Sequence, residues 1–213
     1  MSPPTHYAVL VEHYERCLAA HGDTPQGVDW PKADDAQLRY AVMLSMVDPA
    51  RPSRLLDLGC GAAHLLDHLH ERGSHPLLEY VGADLSTAFV ALCRQKHPNT
   101  VFHQVDLLAD HPPLGRFDHV VMNGVFTERR ELSFDEMWAF FERLVLAAWQ
   151  HTEHTLAFNV MSSHVDWERD DLFHVPFDRL TTFLCSSVSR HFQIRHDYGL
   201  YEYTVFVSRA PRS

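Results

Sequence analysis

The chain has 213 residues, 46% hydrophobic and 22% charged, enough for one well-buried α/β domain and short for two. A formal net charge of −10, without any run of Lys and Arg, argues against a nucleic-acid partner, because phosphate binding needs clustered cations that release counterions. No apolar stretch approaches the ~20 residues of a membrane span, and Met1-Ser2-Pro3-Pro4-Thr5-His6 lacks the charged and then apolar segments of an export signal, so a cytoplasmic protein with no membrane partner is expected.

Two amphipathic helices are predicted first, Tyr7 to Ala20 and Ala33 to Val47, joined by the turn-rich Gly22-Asp23-Thr24-Pro25-Gln26-Gly27 and by Trp30-Pro31. From residue 54 onward strand and helix signals alternate, the pattern of a parallel sheet with helices on both faces. Strand one is Arg54 to Leu58, followed by a helix from about Ala62 to Glu71 that stops near Gly73. Strand two is Leu78 to Ala83, and Ser86 can cap a helix that ends at His97-Pro98. Strand three is Thr100 to Val105. After the breaker Pro112-Pro113 comes strand four, Phe117 to Met122, apolar almost throughout as a central strand should be. Ser133-x-x-Glu136 is a capping box for a helix whose apolar stripe runs from Phe134 to Ala148. Strand five, Thr155 to Val160, and a helix near Phe177 to Ser187 follow. His191 to Arg195 and Tyr203 to Ser208 are separated by too few residues for a crossover, so they pair antiparallel and complete a seven-stranded, Rossmann-like α/β sheet. Cys17, Cys60, Cys93 and Cys185 form no CxxC pair and read as reduced thiols.

Chemistry concentrates after strand one, in Asp57-Leu58-Gly59-Cys60-Gly61-Ala62-Ala63. Glycine has no Cβ and takes positive φ, so this turn lets backbone approach a ligand. Asp84, ending Tyr80-Val81-Gly82-Ala83-Asp84, can accept two ribose hydroxyls. The nicotinamide fingerprint Gly-x-Gly-x-x-Gly/Ala needs a very small residue where His64 stands, which disfavours a dinucleotide. Asp57-x-Gly59-x-Gly61-x-Ala63 resembles motif I of the class I S-adenosylmethionine (SAM)-dependent methyltransferases, with Ala63 replacing a third glycine. The resemblance covers about residues 53–208. It implies SAM as cofactor, with Gly59 and Gly61 near its amino acid and ribose parts, Asp57 near its ammonium, Asp84 on the ribose and Asp106 on the adenine amino group. Ala63, His64, Leu85 and Leu107 join these as cofactor-side residues. The family also implies that residues 1–50 form a helical cap or lid over a 51–213 cofactor domain; packing against the sheet is the alternative.

Residues that follow strands four and five stand at the mouth where doubly wound sheets bind ligands. Asn123 and Phe126 are therefore cofactor or substrate candidates, and Asn159-Val160-Met161-Ser162-Ser163-His164-Val165-Asp166-Trp167 reads as a substrate loop. Its Asn-Val-Met-Ser and Val-Asp-Trp patterns resemble a bacterial subgroup of small-molecule methyltransferases. His164 is the candidate base, since imidazole titrates near neutrality. Tyr7, Tyr14, Trp30, Phe126, Trp167 and Tyr201 could face a sulfonium, and Tyr14, Asn123 and Asn159 complete the catalytic candidates. The histidines at 64, 68 and 70 read as a solvated helix face and not as a metal site, and Thr127 to Glu131 and Glu168 to Asp171 as solvated charge runs. Methyl transfer to a small metabolite is the leading expectation. Some proteins that look like this subgroup, the azetidine-2-carboxylate synthases, instead cyclise SAM and release methylthioadenosine, and a silent SAM-binding scaffold is a third reading. Oligomeric state has no sequence signal.

Overall fold

Successive residues of a strand point to opposite sides of a sheet, and the apolar side chains here divide accordingly. Leu56, Leu58, Val120, Met122, Leu156 and Phe158 pack on one side, and Leu55, Val121, Ala157 and Phe206 on the other. The structure, a computed structural model, describes residues 7–30, 32–109 and 114–211. Its sheet runs β3 (Val101–Gln104), β2 (Leu78–Asp84), β1 (Ser53–Leu58), β4 (Phe117–Phe126), β5 (Thr152–Ser162), β8 (Glu202–Ser208), β7 (Phe192–Arg195). All pairs are parallel except those that β8 makes with β5 and β7. This is the mixed α/β, seven-stranded arrangement expected. A two-residue β6 (His174–Val175), unforeseen because so short a pairing has no sequence period, adds to the end of β5.

Helices cover both faces. On the first lie α5 (Phe134–Gln150), α6 (Phe177–Phe183) with a π-turn continuing it to Val188, and Tyr7 and Leu10 at the start of α1 (Ala8–His21). On the second lie α2 (Ala33–Leu44), α3 (His64–Arg72) and α4 (Thr87–Lys96). The α5 capping box forms in both directions, Glu136 N–H to Ser133 Oγ at 3.2 Å and Ser133 N–H to Glu136 Oε2 at 2.9 Å. Among the described residues no helix is long and apolar enough to cross a membrane. The breaker at Pro112-Pro113, Pro31 and the start Met1 to His6 lie outside the described residues.

Three expectations change. The core does not divide at residue 50: Val42, Met43 and Leu44 of α2 are packed with Leu55, Val121 and Phe206, so α2 is a layer of the sheet domain. The charge runs are not freely solvated. Glu128 bridges to Leu172, and the Arg129 and Arg130 N–H groups both donate to Asp171 O, at 2.9 and 3.0 Å, so the two runs clasp each other. The histidines of α3 are likewise engaged: His68 is buried against Gln37 Oε1, and His64 meets Asp23.

Candidate cofactor site

The β1–α3 turn is built from three departures into the left-handed region at alternate residues, Gly59 at φ 78°, Gly61 at 51° and Ala63 at 58°. At Gly59 a Cβ would lie 2.5 Å from Val125 Cγ2, so both conformation and space require glycine. Ala63 takes the same region with a methyl group and delays the helix to His64. Gly59 and Cys60 donate to Ala83 O at 2.7 and 3.1 Å, while Gly61 N–H donates to Asp84 Oδ2 at 2.9 Å. Ser86 N–H holds the other oxygen, Oδ1, at 2.9 Å. The tip of β2 is thereby fastened to the glycine turn. Burial pushes the Asp84 carboxyl up from its ordinary value, against the opposing pull of the Ser86 and Gly61 N–H groups.

Asp57 lies deeper, 3% exposed, with the Tyr80 hydroxyl donating to Oδ2 at 2.7 Å. Loss of water raises its pKa to about 7; Tyr80 opposes this and the neighbouring Asp84 charge adds to it. Asp106 accepts from Leu108 N–H at 2.9 Å and from the Tyr7 hydroxyl at 2.6 Å, so it closes the turn after β3.

These groups surround a cavity at the carboxyl ends of β1, β2 and β4, the point where strand order reverses and doubly wound sheets bind ligands. Including its open mouth it encloses about 1190 Å³ of empty space. Asp57, Gly59, Gly61, Asp84, Leu85, Asp106, Leu107 and Asn123 line its floor and sides, with His64 at one edge. Tyr7, Leu10, Val11 and Tyr14 of α1, with Val28 and Trp30, form the roof. Polar links hold that roof down: Tyr7 to Asp106, Ser86 Oγ to Glu15 Oε1 at 2.6 Å, and Asp23 to both His64 Nε2 at 2.8 Å and Lys96 Nζ at 3.0 Å. Tyr14 is bonded to Thr127, whose hydroxyl donates to Gly124 O at 3.0 Å; burial, then the Glu128 charge, raises the Tyr14 pKa and keeps it neutral.

Two polar features mark the wall. Among the described residues no Lys or Arg lines the cavity, whereas Asp57, Asp84 and Asp106 do. Asn123 Oδ1 is buried and has no hydrogen-bond partner among the described residues. A buried acceptor without a donor is costly unless a ligand supplies one. A cationic amine bearing a ribose and an adenine amino group fits this donor-poor, carboxylate-rich wall; a pyrophosphate does not.

Six candidates are corrected. Phe126 is fully buried, 4.8 Å from Phe141 within an aromatic cluster, and Ala63 is 0% exposed, shaping the turn from behind. Asn159 is also 0% exposed; its Oδ1 accepts from Gly124 N–H at 2.8 Å and its Nδ2 donates to Glu202. His164 stacks on Phe177 at 5.1 Å, away from the cavity wall, and Trp167 and Tyr201 are exposed. What local reading missed is Tyr80 behind Asp57, and Tyr40 and Val125 in the wall, because only parallel strand pairing and helix docking bring them there.

Comparison with known proteins agrees with this geometry. Residues 56–148 match the methyltransferase-domain family. A Mycobacterium tuberculosis protein named as a methyltransferase is 29% identical over 170 residues, 78% of this chain and 99% of its own. Trans-aconitate 2-methyltransferase of Methylobacterium nodulans is 32% identical over 80 residues, 38% of this chain and 30% of that protein. Two solved structures share the fold: magnesium protoporphyrin IX methyltransferase from Synechocystis PCC 6803 with bound SAM (TM-score 0.64, 14% identity, 99% and 100% of the two chains), and 1,6-didemethyltoxoflavin-N1-methyltransferase from Burkholderia thailandensis (TM-score 0.61, 17% identity, 100% and 92%). With a methyltransferase-domain match over residues 56–148, the glycine turn, acidic strand ends and strand order resemble those of the class I SAM-dependent methyltransferases, whose cofactor is S-adenosylmethionine.

Proposed function

We propose that the protein transfers a methyl group from SAM to a small-molecule acceptor. The observation that carries this reading is the cavity wall itself: among the described residues, three carboxylates, no Lys or Arg side chain, and an Asn123 acceptor without a partner beside a glycine turn. Bound SAM supplies a sulfonium-activated methyl carbon. Asp84 would take the ribose hydroxyls on lone pairs left free by Gly61 and Ser86, Asp57 and Asn123 Oδ1 the ammonium, and Asp106 the adenine amino group. The roof of α1 and Trp30 excludes water and holds the acceptor in line, which is the main work left to the protein in such a reaction. Tyr14, neutral and hydrogen-bonded, orients an acceptor and does not deprotonate it. The relatives named for magnesium protoporphyrin and didemethyltoxoflavin support an acceptor of metabolite size; O- or N-methylation is decided by the acceptor's own nucleophile.

Mass spectrometry of protein incubated with SAM, with and without a panel of hydroxyl and amine metabolites, tests the reading. S-adenosylhomocysteine (SAH) formed only with an acceptor is expected. Methylthioadenosine from SAM alone would instead establish the intramolecular cyclase, and tight SAM binding with neither product across the panel would establish a binding scaffold.

A further inference from the structure

Glu202 opens β8, is 1% exposed and stands outside the cavity, yet two arms of contacts run from it to one stretch of the cavity wall. The first arm reaches the roof. Arg39 of α2 sets Nε and Nη2 each 2.7 Å from Glu202 Oε2 and lays its guanidinium 4.0 Å above the Trp30 ring. Trp30 rests on Gly124 so closely that a Cβ there would come within 2.8 Å of its Cζ2. The second arm runs through the sheet. Asn159 Nδ2 donates to Glu202 Oε1 at 2.9 Å, and its Oδ1 accepts from Gly124 N–H at 2.8 Å. The amide has one orientation available, because a carboxylate only accepts and an N–H only donates.

Both arms therefore end on Gly124, at φ 82° in the bulge where β4 loses register with β5 between Met122 and Phe126. In that bulge Asn159 replaces the missing strand acceptor. Gly124 and its neighbours Asn123 and Val125 line the cavity. An apolar pair would fill the same space without desolvating two charges, so a buried ion pair between residues 163 apart is better explained by placement than by stability.

We propose that Glu202 is a positioning residue for cofactor binding: through Arg39 and Asn159 it clamps Trp30 against Gly124 and sets the cavity's width beside Asn123. The inference rests on the reading that the cavity binds SAM. ¹⁹F NMR of the full chain labelled with 5-fluorotryptophan, with Trp30 assigned through Trp30→Phe, is paired with SAH calorimetry on wild type, Glu202→Gln and Arg39→Met. In both variants the Trp30 resonance is expected to shift or split while those of Trp138 and Trp149 stay, and SAH affinity to fall about three- to thirtyfold. An unchanged Trp30 resonance with wild-type affinity overturns the proposal. Should Glu202→Gln perturb every tryptophan through general loss of packing, Arg39→Met, which keeps the Glu202–Asn159 hydrogen bond and removes the arm to Trp30, decides by the same two readouts. A wild-type chain that binds no SAH would defeat the cofactor reading, whereas the Trp30 resonance would still test the clamp.

Discussion

Asp84 does two jobs with one carboxylate, and both are visible in its partners. Its oxygens accept Gly61 and Ser86 N–H groups, which fix the glycine turn, and its side chain lines the cavity. Hydrogen bonds to a charged group contribute roughly 1.5–3 kcal/mol, so Asp84→Ala should weaken SAM binding at least about tenfold while the chain stays folded. Calorimetry checks this, and a parallel NAD titration should give no heat. His164 supplies the contrast. It was a reasonable base by chemistry, but its ring lies on Phe177 beyond the wall. His164→Ala should leave SAM affinity within about twofold, the scale of a substitution away from the site; a larger loss would return His164 to the reaction.

Among the elements, α1 and α2 part company although they are neighbours in sequence. Helix α2 contributes Tyr40, Val42, Met43 and Leu44 to the core beneath the sheet, whereas α1 buries only Leu10 and His13 along its length and is fastened by side-chain links from Glu15 to Ser86 and from its flanking residues Tyr7 to Asp106 and Asp23 to His64 and Lys96. A segment held by a few polar links opens more readily than one held by a core. Removal of residues 1–30 should leave a sheet domain that still melts cooperatively, with SAM affinity and turnover both sharply reduced, because closure excludes water. Loss of the cooperative melt would make α1 part of the fold's foundation instead of a lid.

For the molecule as a whole, burial of acid at the cofactor site couples stability to pH. Asp57 titrates at about 7 in the folded chain and near 3.9 when unfolded, so between these values the folded state holds the additional proton. Stability contributed by this group is complete below about pH 4 and declines as pH rises toward 7, by at most about 1.4 kcal/mol per unit. Asp84, raised in the same direction, adds to the slope. Asp57→Asn keeps an acceptor for the Tyr80 hydroxyl and removes the charge, so it should raise the melting temperature at pH 7, flatten the pH dependence and weaken SAM binding. A cationic ligand favours the ionised carboxyl. Calorimetry at pH 6 in buffers of different ionisation enthalpy should therefore record proton release on binding in wild type, and less in the variant.

The amino-acid sequence alone determined the strand order's raw material, the positive-φ glycine turn, the acidic ends of β1 and β2 and the α5 capping box. Each is written in residues a few positions apart, where period, missing Cβ atoms and capping geometry act locally. Tertiary structure alone decided which groups toward the ends of β4 and β5 face the cavity. The bulge at residues 123–125 turns Asn123 into the cavity while β8 draws Asn159 back toward Glu202. It also decided how the roof is held, since Tyr7 meets Asp106 across 99 positions and Arg39 meets Glu202 across 163. Contacts closed over such loops leave no periodic trace in the chain, because they depend on how the layers pack and not on any local conformational preference.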